Sequence, residues 1–417
     1  RVVGMASLSR SRFSHYAVLA LVWAATTLPF LGAPSLWDND EGLNAEAARE
    51  MYESGNWIVP RFNFQLRDAK PALLYWLQAS AFHALGVNEF AARLPSALAA
   101  LVAVFAVYEL GRSMFAPSAG LIAGVVLMTS TLVCGLAHFA NPDALLLAGT
   151  ALTFLAFWRG FAPEKPGAPQ RRSWFMPVSI ASGFGVLAKG PVALALPGLA
   201  ILLYLAWQRQ LRCLWDRRLL LGIAAFMLVA MPWYTLVTVE TRGAYFRGFI
   251  LKNNVDRYLA PMGDHRGPIY YHPAAMLLGF APWSAFLLPV LWYAIRACRR
   301  RPAATFIADG ERPLAAGRLL VVWFVTYLLF FSGAATKLPG YALPLYPALA
   351  LMTGRFLHGW TRGEFRPHGS LIAYGFACLA LIGVGTSVAL LAAGGVFTSD
   401  IVRLPAISPL RPWAWLG

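Results

Sequence analysis

The chain has few charged residues: they make up 13% of its 417 residues, whereas 58% are hydrophobic. A soluble domain of this size would carry charge on roughly one residue in four. The apolar residues fall in blocks, such as 14–33 and 371–396, that approach the roughly 20 residues needed to cross a bilayer. Because backbone groups in lipid must hydrogen-bond within their own segment, these blocks predict an all-α integral membrane protein.

Cysteine is also scarce, and several short motifs are missing. The four cysteines are far apart in the sequence, and their spacing predicts neither a disulfide nor a metal centre. The chain lacks a Walker A pattern, a dinucleotide-binding fingerprint and a nucleophile elbow in a suitable context, which excludes the corresponding enzyme classes. The first apolar block lacks a small-residue cleavage site after it, so we interpret it as a retained anchor.

Acidic residues are outnumbered, and the net charge is +16. The basic residues lie in short loops between apolar blocks and form no continuous face, which argues against nucleic-acid binding. Their distribution instead orients the chain, because 21 of the 35 lysines and arginines fall on one side if the N-terminus is cytoplasmic. We therefore expect a multi-pass inner-membrane protein with a cytoplasmic N-terminus.

The apolar blocks predict about eleven transmembrane helices, with an additional external helix over 71–87 lying at the membrane interface. The predicted spans are 14–33, 92–110, 117–136, 144–161, 174–190, 192–207, 218–238, 272–295, 319–333, 341–357 and 371–396. We predict a transmembrane module over 1–396, followed by 397–417 as the start of an external segment. Two external loops, 34–91 and 239–271, are long and carry mixed charge, which favours an external working face.

Acidic residues open the first external loop. Asp38 and Glu41 are spaced as a helix N-cap and the partner that completes a capping box. Asp40 is not needed for that cap, so it is a candidate catalytic base or ligand of a divalent metal of unknown identity. Glu41 is a second candidate metal ligand, and the purely structural capping role remains the alternative for it.

Lysine is rare, since only five of the 35 basic residues are lysines. Three of them, Lys70, Lys189 and Lys337, have a proline or glycine within the next two residues, at predicted element boundaries on the outer face. A compact ammonium suits a phosphate, so these lysines could converge on one anionic head group. The alternative is that they only extend toward water from helix ends, but that would place lysines on both faces.

Other polar residues on the outer face are candidates for the same site. Asp143 lies between the third and fourth spans, where it serves either as a helix cap or as a site residue. The loop 239–271 is basic and ends in tyrosines, which suits a phosphate-bearing lipid or sugar. Within it we select His265 and Arg266, because most other charges there are expected to be solvated.

Several ordered motifs resemble the aminoarabinose transferases that modify lipid A, within the polyprenyl-phosphate-dependent group that includes the protein mannosyltransferases. The resemblance extends through most of the chain. It is carried by Leu36-Trp37-Asp38-Asn39-Asp40-Glu41, Arg49-Glu50-Met51, Ser54-Gly55-Asn56-Trp57, Lys70-Pro71, Ala91-Ala92-Arg93-Leu94-Pro95, Ala188-Lys189-Gly190-Pro191 and Lys337-Leu338-Pro339-Gly340-Tyr341.

The resemblance implies a GT-C fold and a metal-dependent, inverting transfer of a sugar from a polyprenyl-phosphate carrier to a lipid or glycolipid acceptor at the outer face. It matches Asp40 and Asp143 to acidic positions of the family. It matches Lys70, Lys189 and Tyr341 to the carrier phosphate or the cavity, with Arg266 as a looser match. Two departures, Ala69 in place of a glutamate and Asn44 in place of a tyrosine, bear on the metal and on the sugar.

Two rival functions remain open at this point. A transporter or lipid flippase would require ionisable residues near the bilayer midplane, and often two related halves, whereas the charges here lie at one interface. A membrane scaffold without chemistry would leave the placement of the lysines unexplained. We therefore expect a membrane glycosyltransferase.

Overall fold

The structure is a computed structural model that describes residues 2–36, 39–162, 174–260, 266–299 and 312–393. These residues are mostly helical, as the composition predicts, and the strands among them form one short hairpin. The predicted segment 397–417 lies outside the described residues, as do Asp38 and His265.

The N-terminal half contains a long first helix, two helices outside the apolar spans and a compact group of apolar helices. Its elements are α1 (Val2–Thr27), α2 (Asn39–Ser54), β1 (Arg61–Phe62), β2 (Gln65–Leu66), α3 (Leu73–Leu85), α4 (Glu89–Met114), α5 (Pro117–Met128), α6 (Thr131–Ala137), α7 (Asp143–Phe161), α8 (Phe175–Lys189) and α9 (Val192–Trp207). The helix predicted over 71–87 is α3, which is too short to be a span.

The C-terminal half continues with longer helices and one irregular helical run. Its elements are α10 (Arg218–Glu240), α11 (Ala244–Phe246), a π-helix (Arg247–Asp256), α12 (Arg257–Leu259), α13 (Tyr271–Gly279), α14 (Leu287–Arg299), α15 (Arg312–Gly333), α16 (Tyr346–Thr361) and α17 (Gly369–Ala393). Short 3₁₀ segments, including Pro339–Leu345 before α16, join some of them.

Five helices among the described residues, α4, α7, α10, α15 and α17, are long and apolar enough to cross a membrane. The number rises to seven if each of two bent helix pairs is counted as one span. These pairs are α5 with α6, and α13 with the segment formed by a 3₁₀ turn and α14. Each of the eleven predicted stretches overlaps a helix, but α8 and α9 are shorter than a full crossing. The bends account for part of the difference from eleven uniform spans.

Small residues allow the central helices to approach closely. A side chain at Gly120 of α5 would collide with the Tyr108 carbonyl oxygen on α4, so only glycine fits this crossing. Burial differs strongly between central and outer helices. In the most apolar stretch of α7, 72% is buried, whereas in that of α17 only 6% is buried. We infer that α17 lies at the edge of the bundle and presents its apolar side chains to lipid.

The polar segment between α2 and α3 is fastened to the bundle at several points. Asn63 and Phe64, both with positive φ, form the two-residue turn of the β1–β2 hairpin. The buried carboxylate of Glu50 accepts the Phe64 N–H at 3.1 Å. The indole N–H of Trp233 on α10 donates to the Ile58 carbonyl at 2.9 Å. These contacts give the segment that carries Lys70 a fixed position.

Candidate functional site

A cavity of about 510 Å³ lies where five separate parts of the chain meet. Its walls come from the segment after β2, Leu146 of α7, the α8–α9 junction, the π-helix with α12, and the end of α15 with Tyr341. Most of the lining is apolar, but Lys70, Lys189 and Arg257 contribute three cations. Among the described lining residues there is no carboxylate, so the cavity presents net positive charge to a ligand.

Lys70 reaches the cavity from the segment between β2 and α3. The Tyr245 hydroxyl donates to the Lys70 carbonyl oxygen at 3.0 Å, which fixes the backbone. Desolvation lowers the pKa of the Lys70 ammonium to about 8, while the charge of Asp40 opposes this shift and Arg257 and Arg67 add to it. A lysine held this way gains from an anionic ligand, because the ligand would neutralise a poorly solvated charge.

Lys189 is the last residue of α8 and forms an ion pair with Asp143, the first residue of α7. Both side chains are largely enclosed, at 14% and 16% exposure. Asp143 is not the cap of α7, since the amide oxygen of Asn141 accepts the Asp143 N–H at 3.0 Å. The carboxylate is therefore available for Lys189, which agrees with the site interpretation of Asp143 rather than the capping one.

The turn after Lys189 requires glycine. Gly190 has a φ of 94°, and a side chain there would come within 2.6 Å of the Phe249 ring. Phe249 belongs to the π-helix and also lines the cavity. The close approach therefore brings the π-helix next to the α8–α9 junction, and with it Arg257.

Tyr341 lies between two cations. Its ring centroid is 5.3 Å from the Lys189 ammonium and 5.7 Å from the Arg257 guanidinium carbon, within the range of cation–π contacts. The Nε–H of Arg257 is buried and has no acceptor among the described residues. A buried guanidinium N–H without a partner is costly, so Arg257 is prepared for an anion.

Arg257 is a site residue that the sequence interpretation did not select. In the second external loop the selected residues were His265 and Arg266, whereas Arg257 was expected to be solvated. Arg266 is exposed and does not line the cavity among the residues described. No sequence signal selected Arg257, because the helical run over 244–259 that carries it back toward the bundle is evident only in the structure.

Asp40 lies in the first turn of α2, with an exposed side chain. It does not line the cavity among the described residues, but its charge raises the pKa of Lys70, so the two groups are electrostatically coupled. An exposed carboxylate beside a cationic cavity can hold a proton or orient a hydroxyl of an incoming molecule.

Glu41 has a structural role. It is fully buried, and its two oxygens accept from Arg93 at 2.7 and 3.0 Å. Arg93 also donates to the carbonyls of Leu31, Pro34 and Ser35. The Ala140 N–H donates to Glu41 at 3.0 Å. The pair joins α2, α4 and two loops, which gives Glu41 a structural role; Asp38, the other half of the predicted capping box, lies outside the described residues.

The predicted metal site does not fit the side chains around Asp40. Glu41 is occupied by Arg93, and Ala69 on the cavity wall supplies no oxygen ligand. No three His, Cys, Asp or Glu side chains converge anywhere in the described ranges. The donor set expected for a divalent cation is therefore incomplete here, and we derive no chemical step through a metal.

Lys337 was expected in the cavity but caps a helix instead. Its ammonium donates to the carbonyls of Ser332 at 2.6 Å and Phe331 at 3.3 Å, at the end of α15. The side chain is 5% exposed, and these carbonyls at the end of the helix carry the negative end of its dipole. Lys337 therefore stabilises the turn that leads to Tyr341.

Asn44, noted as a departure from the family pattern, helps to position Arg67 near the cavity. Its amide donates to the Ala140 carbonyl at 3.1 Å and accepts from Arg67 at 2.9 Å. Arg67 also donates to the Tyr75 hydroxyl at 3.0 Å. This buried network fixes Arg67, whose charge contributes to the low pKa of Lys70.

Comparison with known proteins identifies the class first. The fold is that of GT-C glycosyltransferases: ArnT from Cupriavidus metallidurans bound to undecaprenyl phosphate matches with a TM-score of 0.76 and 26% identity, over 100% of this chain and 69% of that one. The archaeal oligosaccharyltransferase AglB from Archaeoglobus fulgidus shares the fold alone, with a TM-score of 0.52 and 12% identity over 93% of this chain and 58% of that one.

Proteins related in sequence indicate the subgroup that this chain resembles. Residues 69–235 match the family described as dolichyl-phosphate-mannose-protein mannosyltransferase. The undecaprenyl phosphate-alpha-4-amino-4-deoxy-L-arabinose arabinosyl transferase of Erwinia tasmaniensis is 30% identical, over 89% of this chain and 65% of its own length. The protein with the same name in Pseudomonas savastanoi is 31% identical, over 85% and 64%. The predicted resemblance is confirmed, and the chain spans just under two thirds of these relatives.

Proposed function

We propose that the protein is an inverting glycosyltransferase that moves a sugar from a polyprenyl-phosphate carrier to a lipid acceptor. The observation that carries this proposal is the convergence of Lys70, Lys189 and Arg257 on one largely apolar cavity. Cations set in an apolar wall suit an amphiphile with a phosphate head and a hydrocarbon tail. The relatives are named for an undecaprenyl-phosphate donor, which has this chemistry.

The cations act on the leaving group. In the donor the phosphate joins the sugar to the lipid, and breaking the bond between the anomeric carbon and oxygen leaves the carrier with an additional negative charge. Groups fixed where charge develops stabilise the transition state more than the ground state. We assign this role to Lys70, Lys189 and the Nε–H of Arg257, which is buried without an acceptor among the described residues.

The two carboxylates have different roles in this proposal. Asp143 holds Lys189 in place through their ion pair, and the Tyr341 ring confines the ammonium from another side. Asp40 faces the incoming acceptor and takes its hydroxyl proton. If the acceptor is a phosphate, it is already an anion, and Asp40 then only positions it.

We propose a lipid A-like or related cell-envelope acceptor at the outer face of the inner membrane. The supporting arrangement is that Lys189, Tyr341 and the end of α15 all lie at the side predicted to be external. We retain eleven crossings, with short or bent helices counted as spans, an N-terminus on the cytoplasmic side and a module over 1–396. Ala69, which lines the cavity, is where a sugar other than aminoarabinose would be selected, and Asn44 would act only through the position of Arg67.

The test is sugar transfer in proteoliposomes that contain a polyprenyl-phosphate sugar and a lipid A-like acceptor. We expect the full chain to transfer sugar and Asp40→Asn to lower turnover while keeping donor affinity, because it removes a charge and keeps the shape. If the wild-type protein bound the donor but transferred no sugar, the assignment as a glycosyltransferase would be contradicted. A parallel assay of carrier movement between leaflets distinguishes it from a flippase.

A further inference from the structure

A second cavity, of about 420 Å³, lies at the other end of the bundle. The helix α15 lines both cavities, with Leu314 and Leu320 near its start on the second and Phe330 near its end on the first. The stretch from Leu314 to Phe330 is about 24 Å long, because an α-helix rises about 1.5 Å per residue. The two cavities therefore lie near opposite faces of the membrane.

The second cavity has an excess of positive charge. Arg296, Arg355 and Arg366 line it, and the one carboxylate among its described lining residues is Glu364. Glu364 pairs with Arg355 at 2.6 Å. Arg296 and Arg366 are exposed and form no ion pair within the described part of the chain. Two arginines thus remain for an anion from outside the chain.

Arg355 adds an unused donor at the bottom of this cavity. Its side chain is 18% exposed, and its Nε–H is buried without an acceptor among the residues described. Glu364 engages the other side of the guanidinium through Nη2. An enclosed charged donor without a partner is destabilising, so a ligand oxygen that reaches it would be stabilising.

The walls combine these charges with aromatic and apolar surface. The Arg296 guanidinium lies 5.4 Å from the Trp292 ring centroid, and the Tyr293 and Phe365 rings stack at 4.4 Å. Met352 and Leu320 supply an apolar wall on the bundle side. Tryptophan and tyrosine favour the interface between head groups and hydrocarbon. The cavity therefore suits a ligand that is anionic at one end and apolar at the other.

We infer that this cavity binds the phosphate head group of an anionic phospholipid, at the membrane face opposite the proposed transfer site. Arg296 and Arg366 contact the phosphate, the Arg355 Nε–H donates a hydrogen bond to one of its oxygens, and the acyl chains lie along the apolar wall. Basic pockets between helix ends at an interface bind lipid head groups by this chemistry. A water-soluble phosphate shares the head-group chemistry but not the contact with the apolar wall.

The test uses the full purified chain in neutral detergent, titrated with dihexanoylphosphatidylglycerol while binding is measured by calorimetry. Parallel titrations use dihexanoylphosphatidylcholine and glycerol 1-phosphate. We expect saturable binding of the anionic lipid and weaker binding of the other two. Arg296→Gln and Arg366→Gln should each weaken it by about fivefold, and the double variant by about 25-fold.

The matched control is Arg217→Gln, which removes an exposed arginine outside the cavity. It should leave the affinity within about twofold, since one distant charge is screened. The inference is overturned if the double variant, with an unchanged melting temperature, binds the lipid as tightly as the wild type. Equal weakening by Arg217→Gln would mean general surface attraction, and equal affinity for glycerol 1-phosphate would mean a soluble phosphate; either result overturns the lipid site.

Discussion

At the scale of single residues, the candidate site depends on where a few cations sit relative to water. Lys70 and Lys189 border an apolar cavity, whereas Lys252, on the second external loop, is exposed. The same side chain thus has two environments in one region. An ammonium in the cavity gains most from a phosphate, because water competes less for it.

We expect Lys70→Ala and Lys189→Ala to weaken donor use by roughly ten- to a hundredfold each, since a desolvated ammonium–phosphate contact contributes about 1.5–3 kcal/mol. Lys70→Arg should rescue only partly, because a planar guanidinium does not replace a point charge in a confined space. Donor titration in proteoliposomes measures the effect. Lys252→Ala is the control, and equal donor use by all variants would contradict the assigned role.

Arg257 gives a second residue-scale prediction. Arg257→Ala should raise the donor concentration needed for half-maximal transfer by about tenfold or more, because it removes a guanidinium donor from the phosphate. Arg247→Ala, at the exposed start of the same helical run, is the matched control. If the two arginine variants behaved alike, the effect would come from the charge of the loop and not from the cavity.

The pKa of Lys70, about 8 in the unliganded protein, predicts a pH dependence of donor binding. Below pH 8 the amine is protonated and binds phosphate; as the pH rises through 8 the cation is lost and affinity falls. Between pH 7 and 9 the protonated fraction, and with it the affinity due to Lys70, should fall by about tenfold. Equilibrium donor binding measures this, and Lys70→Arg should flatten the profile in that range because arginine stays charged.

At the scale of elements, one buried ion pair organises the first external loop. The Glu41–Arg93 pair joins α2 to α4 and fixes the carbonyls of residues 31–35. A buried pair of this kind contributes through geometry more than through net energy, because both charges lose hydration. Its consequence is that Asp40, the neighbour of Glu41, has a fixed position beside the cavity.

Arg93→Met should therefore destabilise the protein by about 3–5 kcal/mol, because it leaves the Glu41 carboxylate buried without its partner. Thermal unfolding in detergent measures the change. Arg49→Met removes two ion pairs at the surface, with Glu46 and Glu53, and should lower the free energy of unfolding by less than about 1 kcal/mol. Similar melting temperatures for the two variants would contradict the structural role of the buried pair.

At the scale of the whole molecule, orientation decides which cavity faces which compartment. A reporter fused within 296–318 should read as cytoplasmic, because this region is rich in arginine and cytoplasmic loops collect positive charge. A second reporter in 239–259 should read as external. The reverse result for both would place the proposed transfer site on the cytoplasmic side and would contradict an acceptor at the outer face.

The sequence by itself determined the class of fold, because long apolar blocks leave helices as the structure that satisfies the backbone in lipid. It also selected Lys70 and Lys189, because lysines are rare here and these two stand beside proline or glycine, and both line the cavity together with Tyr341, which the family resemblance had selected. These are local signals, readable from composition and neighbours. Each predicted apolar stretch overlaps a helix, but five helices, or seven with the bent pairs, are long and apolar enough to cross a membrane among the described residues.

Only the tertiary structure decided how charges pair across distant segments. In the folded chain Glu41 pairs with Arg93, Asp143 pairs with Lys189, and Lys337 donates to carbonyls of α15. The tertiary structure also brought Arg257 to the cavity, through a π-helix that no periodicity in the loop had indicated. The physical reason is that a charged side chain at the membrane interface can be solvated by water, can cap a helix or can form an ion pair, and these alternatives differ little in free energy. The choice among these depends on partners far away in the sequence, which only the packed helices bring within hydrogen-bonding distance.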